Sequence, residues 1–145
     1  MTRIVYVNGE YVREEEAKIS IFDRGFLFAD GVYEVTSVLG GKLIDFEGHF
    51  VRLTRSLSEL QMVNPITSED LLKVHRELVQ KNSVVEGLVY LQVTRGVADR
   101  DFAFPDDISP TVVMFTQEKS MSESPLAQRG MKVISIDDQR WGRCD

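Results

Sequence analysis

The stretch RIVYVNGEYV, residues 3–12, constrains the fold most, because it dictates how the chain must begin its sheet. Two runs rich in β-branched and aromatic residues flank Asn8-Gly9, a pair that tolerates the positive φ angles of a tight type I′ turn. An antiparallel hairpin is predicted there. A second is predicted across VYEVTSVLGGKLIDF, turning at Gly40-Gly41. Side chains alternate along a strand, so Tyr33, Val35 and Ser37 share one face, and Val32, Glu34, Thr36 and Val38 share the other. The second face holds two β-branched apolar residues and is assigned to the core or to a covering helix.

Two amphipathic helices follow. In EGHFVRLTRSLSEL, Phe50, Leu53, Leu57 and Leu60 recur at helical spacing and form one stripe. In TSEDLLKVHRELVQKN, Thr67 or Ser68 can cap the N-terminus, and Glu69 and Asp70 place negative charge in the first turn. Leu71, Val74 and Leu78 make its apolar stripe. GLVYLQVTRG and PTVVMFTQE read as strands separated by the polar loop VADRDFAFPDDIS. AKISI reads as a short extended piece, and FDRGFLFADG as a loop with one helical turn. KSMSESPLAQRG, rich in serine and carrying Pro125, reads as a linker, and MKVISID as the start of a new strand.

Strands, then two helices, then strands predict an α+β fold: an antiparallel sheet with two helices on one face. The expected division is a small domain over 1–119, a linker over 120–130, and the first strand of an incomplete second domain over 131–145.

Composition narrows the function classes. The 145 residues carry a formal net charge of −6, which argues against non-specific nucleic-acid binding. No apolar run approaches the roughly 18–20 residues of a membrane span. Cys144 is the only cysteine, so no internal disulfide forms; a cytoplasmic protein is expected. His49 and His75 each stand alone on a predicted helix, read as structural or solvated, and zinc is not expected. There is no P-loop or dinucleotide fingerprint. What remains is arginine in unusual places: Arg24, Arg52, Arg95, Arg100, and Arg140 and Arg143 around Trp141. Arginine is the natural fork for carboxylate and phosphate, although the ordinary reading of any single one is a surface charge or a local ion pair.

Four stretches, DRGFLFADGVYEV (23–35), HFVRL (49–53), VTRGVADRDFAFP (93–105) and RWGRCD (140–145), resemble, in order, the N-terminal part of class IV aminotransferases, the fold-type IV pyridoxal-phosphate enzymes. The pattern is nearest to the D-amino acid aminotransferases. In that group the RCD stretch precedes, by one apolar residue, the lysine that bonds the cofactor, so the resemblance implies a truncated chain, inactive by itself. It implies that Arg52 grips the cofactor phosphate and that Tyr33, Val35 and Ser37 line the substrate side of the cofactor. It further implies that Arg100 helps to trap the substrate carboxylate from a loop reaching into the partner subunit of a homodimer. Ser37 and Phe102 depart from the pattern, which has lysine and histidine at those positions. The implied reaction is amino transfer from a D-amino acid, D-alanine or D-glutamate, to a 2-oxo acid. Branched-chain aminotransferase, 4-amino-4-deoxychorismate lyase and a non-catalytic stand-alone small domain remain as alternatives.

Overall fold

A computed structural model describes residues 2–120, 123 and 128–138. The chain opens with the predicted hairpin, β1 (Ile4–Val7) and β2 (Glu10–Arg13). Asn8 and Gly9 both take positive φ, 48° and 102°. Asn8 also ties the turn to the last strand, accepting from Val112 N through Oδ1 at 2.8 Å. A short helix α1 (Arg24–Phe28) leads into β3 (Gly31–Leu39), followed by β4 (Lys42–Leu43). Helices α2 (Phe46–Glu59) and α3 (Ser68–Lys81) come next, then β5 (Glu86–Thr94) and β6 (Thr111–Glu118).

The six strands form one antiparallel sheet in the order β2-β1-β6-β5-β3-β4. The fold is α+β, as predicted. One face of the sheet presents Val38, Val89, Leu91, Val93, Val112 and Met114 to Phe46, Leu53 and Leu57 of α2 and Leu71, Val74 and Leu78 of α3. Burying each of these side chains contributes about 1.5–3 kcal/mol, which docks both helices on that face. Thr67 caps α3, its hydroxyl accepting from Asp70 N at 3.1 Å. At the other end Asn82 bonds Ile4 N, Ile4 O and Thr116 Oγ1, so helix and sheet are sewn together by one amide.

Two local expectations change. Leu60 is not part of the helical stripe: it is the C-cap of α2 and partly exposed, and Phe46 fills the buried position at the other end. The extended AKISI stretch joins no strand and is mostly exposed. The strand predicted over MKVISID is also absent: the stretch has no regular structure, and Met131, Val133, Ile134 and Ile136 are exposed. Apolar alternation creates a strand only where a neighbouring strand takes its backbone hydrogen bonds, and among the described residues none lies beside it. Most of the linker, and Arg140, Trp141, Arg143 and Cys144, lie outside the described residues. Among those described, no helix is long and apolar enough to cross a membrane.

His75 is a core residue. Its Nδ1 donates to Leu71 O at 2.9 Å, which leaves Nε2 to accept from Thr36 Oγ1 at 3.5 Å. Burial pushes its pKa down to about 4, against a smaller upward pull from the Leu71 carbonyl. The unfolded chain, titrating near 6.5, therefore binds a proton that the fold refuses. Stability is full above about pH 6.5 and declines towards pH 4, by up to about 3 kcal/mol. Urea unfolding at pH 7 and pH 4.5 is expected to show this loss, and His75→Gln to remove most of it.

Candidate functional site

β4 pairs only with Val38 and Leu39 of β3, so the rest of β3 forms a free sheet edge among the described residues. The chemistry-bearing side chains gather on either side of that edge. Glu34 points to the helix face and is 4% exposed. A buried carboxylate needs compensating donors, and α2 supplies them from adjacent turns. Arg52 Nε and Nη2 donate to Glu34 Oε1 and Oε2, each at 2.7 Å, and His49 Nδ1 donates to Oε2 at 2.7 Å. Burial pushes the Glu34 carboxyl up, but the bonds from Arg52 and His49 together outweigh it and hold the group below its usual range. The Arg52 side chain is 64% exposed, and no described residue accepts a hydrogen bond from its Nη1.

On the opposite face Tyr33, Val35 and Ser37 lie in a row, as period two requires. Their cross-strand partners are Gln92, Tyr90 and Leu88. Tyr33 stacks on Tyr90 at 5.8 Å, and Tyr90 on Phe115 at 4.8 Å. Tyr90 Oη donates to Gln92 Oε1 at 2.8 Å. Among the described residues no helix covers this face, and Tyr33 is exposed.

At the Gly31 end of β3 a third group assembles around Asp30. Arg24 Nε and Arg95 Nε both donate to Asp30 Oδ2, at 2.7 and 2.8 Å, with all three side chains buried. Burial raises the Asp30 pKa, but the two arginines outweigh it and hold the carboxyl below its usual range. Arg24 Nη1 reaches on to Asp101 O at 2.8 Å and Ala103 O at 3.3 Å, fastening the loop between β5 and β6. The loop leaves β5 through Gly96, at φ 114°, where a Cβ would collide with Ser109 O. Arg100 and Phe102 sit on this loop, with Phe102 exposed.

The amino-transferase class IV family model matches residues 31–143. The chain belongs to the class IV amino-transferase family. It is 41% identical over 142 residues to D-alanine aminotransferase of Staphylococcus epidermidis, covering 97% of this chain and 50% of that protein. The chain thus spans about half the length of the curated relatives it matches. Its fold matches the branched-chain amino acid aminotransferase of Escherichia coli with a TM-score of 0.76 at 18% identity, over 88% of this chain and 43% of that one. It also matches the branched-chain amino acid aminotransferase of T.th. complexed with N-(5'-phosphopyridoxyl)-L-glutamate, with a TM-score of 0.65 at 20% identity, over 79% and 41%.

Within this class IV chain the predicted residues do not converge on one pocket. Arg52 stands on the helix side of the β3 edge; Tyr33, Val35 and Ser37 stand on the open side; Arg100 and Phe102 stand at the strand's beginning. Sequence reasoning overlooks Glu34, Asp30 and Tyr90 as parts of the site, and reads His49 only as structural or solvated. Glu34 has a legible signal, a carboxylate between two apolar residues on a core-facing row, with His49 and Arg52 one helical turn apart. Asp30 has none, since its two partners lie six and sixty-five residues away. Glu34→Gln is expected to lower stability at pH 7 by about 1 kcal/mol, because the charge-assisted bonds from Arg52 and His49 lose their ionised acceptor. Urea midpoints should show the gap between wild type and variant narrowing as pH falls below about 4.3, because Glu34 then binds a proton in the unfolded chain while the folded carboxyl, held lower, does not yet do so.

Proposed function

We propose that this chain forms the N-terminal part of a pyridoxal-phosphate-dependent D-amino acid aminotransferase, which moves an amino group from D-alanine or a similar donor to a 2-oxo acid. One observation carries the reading: Arg52 is clamped by Glu34 through Nε and Nη2, while its side chain is largely exposed and no described residue accepts from Nη1. A phosphate dianion requires a fixed positive charge with unused N–H donors, so the donor set fits the cofactor's phosphate. The bond from Glu34 raises the Arg52 pKa further, so the charge is permanent. The 41% identity to a D-alanine aminotransferase favours that donor class.

Pyridoxal phosphate, when bound, supplies an electron sink for bonds at the substrate's α-carbon. The residues of this chain supply grip and shape. Arg52 holds the phosphate. Tyr33, Val35 and Ser37 form a wall on the substrate side, with Tyr33 braced by its stack on Tyr90. Arg100 offers a guanidinium to the substrate carboxylate, and Phe102 contributes no hydrogen bond. Exposed Phe22, Phe26, Val97, Phe102 and Phe104 form the kind of apolar surface that a second subunit covers, so a cytoplasmic homodimer is part of the same proposal.

The intact protein is expected to load pyridoxal phosphate and to transfer the amino group of D-alanine to 2-oxoglutarate. Refusal of D-alanine with turnover of L-leucine or 4-amino-4-deoxychorismate would overturn the donor assignment. Arg52→Gln should weaken cofactor binding about tenfold or more, the effect of one lost charged hydrogen bond, as read by titration of the apoprotein.

A further inference from the structure

The Asp30 network continues outward as alternating cations and rings. The Arg95 guanidinium lies 4.1 Å from the centre of the Phe104 ring. Arg24 lies 5.7 Å from Phe104 and 4.8 Å from Phe28. Arg100 lies 5.2 Å from Phe28 and 5.1 Å from Phe102, and those two rings are 5.7 Å apart. The series Arg95, Phe104, Arg24, Phe28, Arg100, Phe102 is rooted at its inner end in a buried ion pair and ends on the exposed loop. Arg24 joins the two ends a second way, because the carbonyls it grips belong to Asp101 and Ala103, the neighbours of Phe102.

A guanidinium stacks by its face and hydrogen-bonds by its in-plane edges. From this arrangement we infer that Arg24 is a positioning residue for Arg100, with the adjoining Phe28 and Phe102 rings cradling the Arg100 guanidinium from one side and leaving its N–H groups free for the substrate carboxylate. This deepens the amino-transfer reading and rests on it. Among the described residues, Arg100 contacts these two rings and donates no side-chain hydrogen bond. A loop arginine left loose would surrender several rotatable bonds on gripping a carboxylate, and one already held by rings surrenders fewer. Phe102 thereby acquires a role that does not depend on donating a hydrogen bond. It lies beside Phe28 and completes the apolar cradle under Arg100, and the carboxylate is left to the arginine's own fork.

The test uses the intact protein loaded with pyridoxal phosphate and two variants. Arg24→Lys keeps a cation beside Asp30 but cannot span both carbonyls. Phe28→Leu interrupts the stack and leaves the buried ion pairs in place. The readouts are amide hydrogen exchange over residues 97–109, calorimetric binding of propionate, a carboxylate with no amine, and KM and kcat for D-alanine. Faster exchange in Arg24→Lys, with propionate binding and KM for D-alanine both weakened about tenfold in both variants, and cofactor loading and kcat changed far less, is the expected result. Unchanged loop exchange in Arg24→Lys, or unchanged propionate binding in both variants, would show that the stack is packing alone and overturn the inference. A wild type that binds propionate but transfers no amino group would refute the amino-transfer reading; exchange and propionate binding would still decide the role of Arg24.

Discussion

Asp30 and the two arginines that share its Oδ2 set the frame for the rest of the structure. A carboxylate this buried would be expelled or protonated without compensation. Two guanidiniums compensate it, and each also makes a second connection. Arg95 donates to Leu60 O at the end of α2, and Arg24 fastens the loop between β5 and β6. The backbone repeats the connection, with Arg24 N donating to Gly96 O and Arg95 N to Asp30 O. One carboxylate thus joins the turn before β3, the end of β5, the end of α2 and the loop that carries Arg100. Removing it would leave two buried cations unpaired, a far larger penalty than the pairing itself returns.

The parts of this fold that follow from short-range rules are legible in the sequence. Asn8-Gly9 demands a hairpin, Thr67 demands a helix start, and alternation puts Tyr33, Val35 and Ser37 on one face. What is not legible depends on partners distant in sequence. The MKVISID stretch has the alternation of a strand, but pairing needs a neighbour, and no described residue provides it. Leu60 continues the helical spacing, yet α2 ends one residue earlier, and Leu60 N bonds back to Ser56 O and Leu57 O as a cap. For the site, Arg52 and Arg100 stand out because arginine at a helix interior or in a loop is conspicuous. Of their supports, Glu34 stands out only as a carboxylate on a core-facing row, and Phe28 looks ordinary until the fold brings it to Arg100.

The free edge of β3 explains why the site residues are divided. A strand presents alternate side chains to opposite faces, so no single face can carry both Tyr33 and Glu34. At a covered strand that division would keep them apart. At an uncovered edge both can border the same space, Tyr33 from the open side and Arg52, through Glu34, from the helix side. β4 pairs only with Val38 and Leu39, and a longer β4 would cover the edge that Tyr33 and Glu34 flank.

Glu34 is the point at which stability and proposed function compete. An apolar residue of similar size would pack between Val32 and Thr36 without any cost of desolvating a charge, and replacing buried ion pairs by hydrophobic groups is often neutral or stabilising. The carboxylate nevertheless does something that an apolar residue cannot. It holds two nitrogens of Arg52 in a plane and so fixes the direction of the third. With an apolar residue in its place, Arg52 would regain its rotamers and, being largely exposed, would lie along the helix surface or extend into solvent. The helix also docks through Leu53 and Leu57, which are fully buried. On the proposed reading, the carboxylate is what gives the exposed cation of Arg52 a fixed direction.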